Sequence, residues 1–362
     1  MDDKKLSLHN AHLKFGGKMV SFAGYQMPIQ YKGVKQEHLC VRNSVGVFDV
    51  SHMGEFLIKG KGAFDLVQKV ISNDIELLYD GKVQYAYMPN LKGGIVDDLL
   101  VYRIEQDVYM LVVNAANIKK DLEWITNNNT NNTEVIDISE KTSLLAIQGP
   151  YAQEVLQYLT SVKLNDMSYY TFQKGEFAGV DNVLISKTGY TGAGGFEIYF
   201  DNFNAEIIWN EIMITGKKFD IQPIGLAARD TLRLEMGFCL YGNEITEDTC
   251  PIEAGLGWVT KFNTRFINYE LLMQRKQNGI NRKLVGFKML EKGIARKDYL
   301  IKDSVGNPIG IVTSGTMSPS LNLPIGMGYV QTKYLKKNKN IFIEIRNKLI
   351  GAKVVKTPFI NK

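Results

Sequence analysis

Three groups of residues in this 362-residue chain have types and spacings suited to chemistry. The first is Asp97-Asp98, which follows Gly93-Gly94 and interrupts the otherwise apolar run Ile95-Val96 and Leu99-Leu100-Val101-Tyr102. A carboxylate in such a run is costly unless something uses it. Adjacent residues of a strand project to opposite faces, so the two carboxylates cannot share a task. One can enter a cavity while the other meets a turn or solvent; a polar strand end fits the same spacing. The second group is the Gly-rich tip at 189–195, with Tyr190 on one side and Glu197 on the other. It lacks the G-x-x-x-x-G-K-[ST] pattern and leads into a strand, so it is no phosphate loop. Glu197 lies between Phe196 and Ile198, and alternation alone predicts a solvent-facing carboxylate. The third is Arg229 and Arg233, four apart on one helical face. Asp230 and Glu235 could pair with them as surface ions. Yet Leu226, Ala227, Leu232, Leu234 and Met236 make the helix largely buried, and a buried guanidinium needs a carboxylate or a polar ligand. Only nine of the 43 basic residues are arginines, which marks these as places where a planar fork is required.

Several classes of function lose support. Cys40, Cys239 and Cys250 are widely spaced with no C-x-x-C, and His9, His12, His38 and His52 all fall in the first 52 residues. A zinc ribbon, a disulfide framework and a thioredoxin-type centre lose support, and metal chemistry would have to be built from carboxylates or gathered from the N-terminal segment alone. The net charge of +5 comes without a dense Lys/Arg stripe, which argues against nucleic acid and fits an acidic small molecule or protein partner. There is no run of 18 apolar residues and no secretory signal, so the expectation is a cytoplasmic protein without a membrane span.

The elements that must hold these groups read as a mixture of short strands and amphipathic helices. Residues 48–59 predict a strand around a turn at Gly54, and 63–72 a helix. Residues 95–102 and 108–114 predict an antiparallel pair, followed by a helix over 118–126. Strands at 182–187 and 195–200 bracket the Gly-rich tip as a hairpin. Residues 203–214 and 225–236 are helical by period. After about residue 280 no long helix is expected, and short strands between Gly- and Pro-bearing turns predict a separate all-β domain.

Taken together and in order, the segments FAGYQMP at 22–28, FDVSHMG at 48–54, GGIVDD at 93–98, VVNAAN at 112–117, QGP at 148–150, GYTG at 189–192 with GFE at 195–197, ARDTLRLE at 228–235, and TSG at 313–315 with Ser318-Pro319 resemble the T-protein family of the glycine cleavage system. The resemblance extends over residues 8–359. It implies an α+β fold arranged as a three-domain cloverleaf with antiparallel sheets and a C-terminal all-β barrel of jelly-roll type. The domains would be 1–50 with 140–240, 51–139 with 241–278, and 279–362. It also implies an aminomethyltransferase: a one-carbon unit passes from the aminomethylated lipoyl arm of a lipoylated H-protein to tetrahydrofolate or its polyglutamates. The products are ammonia, 5,10-methylenetetrahydrofolate and dihydrolipoyl H-protein. Tetrahydrofolate acts as cosubstrate, no metal is involved, and the protein is expected to be a monomer.

Residue by residue, the resemblance matches Asp98 to the family's catalytic aspartate, Glu197 to the carboxylate that reads the pterin edge, and Arg229 to the folate-binding arginine. Tyr85, Tyr190, Met53 and Asn114 match positions lining the folate channel, and Arg296 a position suited to the acidic folate tail. Phe238 stands where some members carry a tyrosine, so one hydroxyl contact is missing. Two relatives offer alternatives. Folate-binding iron–sulfur assembly factors carry K-G-C-[FY]-x-G-Q-E, whereas this chain has Tyr241-Gly242-Asn243-Glu244-Ile245 and a Cys239 without that setting. A stand-alone folate-dependent demethylase is the enzymatic alternative; the flavin-fused forms are disfavoured by the lack of a G-x-G-x-x-G after an N-terminal strand.

Overall fold

In the computed structural model, whose described residues are 3–335 and 340–360, the apolar segments form short strands and a few helices. The chain divides into two compact units. One contains the chain up to Val67 with Ile75–Tyr85 and Leu99–Asp230; the other contains Gln68–Asp74, Ala86–Asp98 and the chain from Thr231 onward. The divisions fall inside the helices Ala63–Val70 and Leu226–Met236, between Asp74 and Ile75, and inside the strands Val83–Pro89 and Ile95–Glu105.

The first unit draws on three sheets, the smallest being Lys4–Lys5, Tyr25–Gln30 and Lys18–Phe22. A six-stranded sheet runs in the order Phe172–Phe177, Val180–Ser186, Gly195–Asp201, Thr142–Gln148, Gly46–Asp49, Gln222–Pro223. Leu145, Ile147, Phe196, Ile198 and Phe200 cluster with Ile208, Trp209 and Ile212 of the helix Ala205–Gly216, which closes one face of that sheet. The expected hairpin around the Gly-rich tip is present, with Ser186 opposite Glu197 and Leu184 opposite Tyr199. A second, five-stranded sheet includes Ile95–Glu105 paired antiparallel with Val108–Val113, as the two apolar runs predicted.

Residues 48–59 depart from expectation. They are not one strand bent at Gly54 but two strands in two sheets, Gly46–Asp49 and Gly54–Lys59. The turn precedes Gly54 because the Asp49 carboxylate accepts hydrogen bonds from the Ser51 backbone N–H at 3.0 Å and hydroxyl at 2.6 Å. That side-chain turn takes over the role the glycine was expected to play.

The second unit contains a closed six-stranded barrel, in the order Arg282–Met289, Leu323–Gln331, Pro308–Ser318, Leu300–Lys302, Asn340–Ile345, Lys348–Val355. Its interior holds Phe287, Met289, Ile301, Val312, Val330, Ile341 and Ile343, as alternation predicts for an all-β domain. The end of the helix Leu226–Met236 is fastened to the barrel by charge. Arg233 is 1% exposed and donates to Glu244 at 2.7 Å, to the Phe238 carbonyl at 3.0 Å and to the Ser314 hydroxyl at 2.8 Å. Glu244 also accepts from Thr313 and from the Leu240 N–H. Glu235 accepts from the Ser318 and Ser320 hydroxyls and the Ser320 N–H. Arg233 and Glu235 are therefore not surface ions; the apolar residues around them take the whole last turn out of water.

Removing one partner of a buried pair strands the other charge. Glu244→Ala should lower stability by about 3–5 kcal/mol, read from chemical denaturation. Combining Glu244→Leu with Arg233→Met should recover part of that loss, since neither charge is then left unpaired.

Candidate active site

Glu197 is buried rather than solvent-facing. Phe196 and Ile198 enter the core opposite it, as alternation dictates, but the other face of the strand is covered as well. Glu197 and Tyr199 share that face, and Tyr102 of the five-stranded sheet packs there, its ring 5.6 Å from that of Tyr199. Glu197 Oε2 accepts from the Thr188 hydroxyl at 2.5 Å. Burial raises its carboxyl above the ordinary glutamate range, against which the Thr188 hydrogen bond and the charge of Arg229 act.

The tip that carries Tyr190 is held by local polar contacts. Gln148 donates to the Thr188 carbonyl and accepts from the Thr191 hydroxyl at 2.8 Å, and Arg42 donates to the Thr191 carbonyl at 2.6 Å. Gly195 is required where the strand resumes: its φ is +126°, and a Cβ would meet the Ile147 carbonyl at 2.2 Å. The helix bearing Arg229 is set at its start by buried Glu37, which accepts from the Gly225 N–H at 2.8 Å. Arg229 then lies over the Tyr190 ring, 4.6 Å from its centroid. Arg229 thus acts on both Glu197 and Tyr190, which joins two groups that spacing along the chain had kept apart.

Met53, Tyr85 and Asn114 are half-buried in the same unit. Beside Met53, His52 is buried and packs edge-on to Phe22 at 5.6 Å. Burial and the Arg229 charge, opposed by Asp49, bring its pKa down to about 4, so it is a neutral imidazole at neutral pH.

Asp97 and Asp98 belong to the second unit. Asp97 is fully buried, so neither the solvent-facing alternative nor an exposed strand end describes it; Asp98 is half-buried. Their strand is entered by a tight turn in which the Asn90 side chain accepts from the Lys92 and Gly94 N–H groups, both at 2.9 Å. Gly94 passes so close to the chain at Glu247 that a Cβ would meet that carbonyl at 1.7 Å. Tyr241 donates to the Ile95 carbonyl at 3.1 Å. The charge of Asp98 reaches Cys239, whose thiol is pushed up first by burial, then by Glu244 and Asp98. Arg296 is exposed and donates to the Gly315 carbonyl at 3.1 Å. Among the described residues no three His, Cys, Asp or Glu side chains gather in a way that could hold a metal ion, and no helix is long and apolar enough to cross a membrane.

Comparison with known proteins agrees with this architecture. Residues 8–264 match the family model described as the GCVT N-terminal domain, and residues 282–361 that of the glycine cleavage T-protein C-terminal barrel domain. The chain belongs to the glycine cleavage T-protein family. An aminomethyltransferase of Flavobacterium psychrophilum is 58% identical over 359 residues, covering 99% of this chain and all of that one. One from Halothermothrix orenii is 47% identical, again covering 99% and 100%. The crystal structure of the glycine cleavage system aminomethyltransferase T from Bartonella henselae superposes with a TM-score of 0.92 at 35% identity, covering 99% of this chain and 98% of that one. With these relatives matched end to end, this T-protein family member is an aminomethyltransferase, an enzyme that transfers a one-carbon unit.

Sequence reading missed Thr188, Ser186, Tyr102 and Tyr199, which surround the Glu197 carboxylate. The available signal was the tyrosines: a Tyr in an apolar strand must find a partner for its hydroxyl. It also missed Glu55, which is fully buried and to whose two carboxylate oxygens no described residue donates. Burial, then the charge of Asp137, raises its carboxyl well above the ordinary value of 4.5. Above that value the unfolded chain releases a proton that the folded chain retains, so Glu55 destabilises the fold increasingly as pH rises from 4.5 towards its raised pKa. Glu55→Met should therefore be more stable than the parent at pH 7, with the advantage shrinking as pH falls to the ordinary carboxylate range. Melting temperatures of both proteins across that range would measure it.

Proposed function

We propose that this enzyme takes the aminomethyl carbon from the lipoyl sulfur of a lipoylated H-protein and delivers it to tetrahydrofolate, or a polyglutamate of it, as 5,10-methylenetetrahydrofolate. In the overall change the carbon loses its bonds to sulfur and to the amino nitrogen and gains bonds to N5 and N10 of the folate. Of the two protons those nitrogens give up, one ends on the dihydrolipoyl thiol and one on the released ammonia. The observation that carries this reading is Glu197: a buried carboxylate held at Oε2 by Thr188, with the Arg229 guanidinium acting on it while lying over Tyr190.

In this reading the two oxygens of Glu197 match an N–H and an amino group on the pterin edge, a charge-assisted pairing. Arg229 donates to the ligand or holds that carboxylate in place. Tyr190, Tyr85, Met53 and Asn114 line the folate channel. Asp98 stabilises the iminium-like carbon as it forms and takes part in proton transfer at the attacking nitrogen. Arg296, exposed on the barrel unit, receives the acidic tail. An electrophilic carbon of this kind must be kept from water, and buried, neutral His52 suits a dry wall.

Binding is tested by calorimetry with 5-formyltetrahydrofolate. Glu197→Ala should weaken it roughly tenfold to a hundredfold, the effect of losing a hydrogen bond to a charged group. Arg229→Lys should also weaken it, because a point charge lacks the planar fork. Wild-type affinity in Glu197→Ala would mean that the pterin is read elsewhere.

Catalysis is tested by ammonia release from aminomethylated H-protein in the presence of tetrahydrofolate. Asp98→Asn should cut turnover by roughly 10²–10⁴-fold with little change in folate affinity, the range for a positioned acid–base group. Asp97→Asn, at a fully buried position, should lower the melting temperature instead. A stable Asp97→Asn protein without turnover, beside an active Asp98→Asn protein, would reverse the two roles.

A further inference from the structure

The carboxylate of Glu197 stands at the end of a line of buried hydroxyls that sequence reading did not anticipate. The Thr188 hydroxyl lies 2.5 Å from Glu197 Oε2 and 2.9 Å from the Ser186 hydroxyl. The Ser186 hydroxyl lies 3.2 Å from that of Tyr102, which lies 2.9 Å from that of Tyr199. All four residues are buried. Strand pairing explains the line. Ser186 faces Glu197 across the hairpin, and Tyr199 stands two residues beyond Glu197 on the same face.

Each hydroxyl has one proton to donate, so the line cannot be satisfied at random. When Glu197 is ionised it can only accept. Thr188 must then point its proton at Oε2 and accept from Ser186, Ser186 must accept from Tyr102, and Tyr102 from Tyr199. When Glu197 is protonated and donates to Thr188, every hydroxyl in the line turns the other way. A single reversal in the middle would set two protons or two lone pairs against each other in a buried place.

We propose that Thr188 is a positioning residue for the pterin-reading carboxylate: seated on the Ser186–Tyr102–Tyr199 line, its hydroxyl donates to Oε2, fixing the orientation of the carboxylate and favouring the ionised form whose two oxygens accept from the ligand. The inference rests on the role given to Glu197 under Proposed function. The groups that act on Glu197 come from every element around it. Arg229 favours its charge, the hydroxyls of Tyr102, Tyr169 and Tyr199 feel that charge, and burial opposes it. Thr188 is the neighbour that most favours the ionised form. Without its donor the carboxyl stays protonated to higher pH, and a protonated carboxyl cannot accept from both donors of a pterin edge.

The test is 5-formyltetrahydrofolate binding by calorimetry between pH 6 and 9, with melting temperatures alongside. Thr188→Val keeps the shape and removes the hydroxyl. It should bind roughly tenfold to a hundredfold more weakly at pH 7, and its affinity should rise with pH over a higher range than the parent's. Thr188→Ser should restore both the affinity and the parent's pH profile, which a loss of packing alone would not allow. In turnover, Thr188→Val should raise KM for tetrahydrofolate more than it lowers kcat. Tyr102→Phe interrupts the line further back and should give a smaller loss of affinity with the same pH sign. Wild-type affinity and pH profile in Thr188→Val, an equal deficit in Thr188→Ser, or an unshifted profile in Tyr102→Phe would each overturn the inference while leaving the role of Glu197 standing. A parent protein that bound no folate, or a Glu197→Ala protein that bound it normally, would remove that role and the inference with it.

Discussion

The Arg233–Glu244 ion pair is the contact on which the second unit most depends. A guanidinium with almost no solvent exposure is tolerable only if each of its donors finds an acceptor. The acceptors come from three separate stretches of chain: the Phe238 carbonyl just past the helix, Glu244 in the following turn, and Ser314 on a barrel strand. Thr313 and the Leu240 N–H complete the shell around Glu244, and its carbonyl accepts from Tyr329 at 2.7 Å. A pair like this contributes little net stability compared with a well-packed apolar one. What it supplies is specificity, because any other placement of these segments would leave a charge buried and unpaired.

The same constraint, met differently, operates around Glu197. No lysine or arginine forms a salt bridge with it among the described residues; one oxygen is held by a neutral hydroxyl, and Arg229 acts through space. A carboxylate held this way remains able to accept from a ligand, whereas one locked in a bidentate arginine fork would have both oxygens committed. Glu244 is saturated with donors from Arg233, Thr313 and the Leu240 N–H, whereas Glu197 accepts at Oε2 from the Thr188 hydroxyl. Glu55 is the extreme case, buried with no described donor at either oxygen, and neutrality is the inexpensive state for it.

Much was legible in the chain itself. The apolar period marked the antiparallel pair at 95–113, the hairpin around the Gly-rich tip and the all-β C-terminal region, because these are local patterns with local causes. The ordered motifs from 22–28 to Ser318-Pro319 identified the family, since spacing along a chain survives where contacts are unknown. The scarcity of arginine singled out Arg229 and Arg233 before any partner was visible.

Burial on both faces of a strand was beyond that reading. Alternation tells which residues share a side and not what covers it, so Glu197 read as solvent-facing until Tyr102 was found packed on that side. Nor could it separate Arg233, sealed against Glu244, from Arg229, lying over an aromatic ring, although both occupy one helical face. The turn at Ser51 depended on a hydrogen bond from Asp49, and the line from Tyr199 to Glu197 joins residues up to 97 positions apart. The sequence determined the family and the local elements that bear the candidate residues. Tertiary structure decided which of them lose their water, because desolvation depends on what packs overhead, and that is a property of residues distant in the chain.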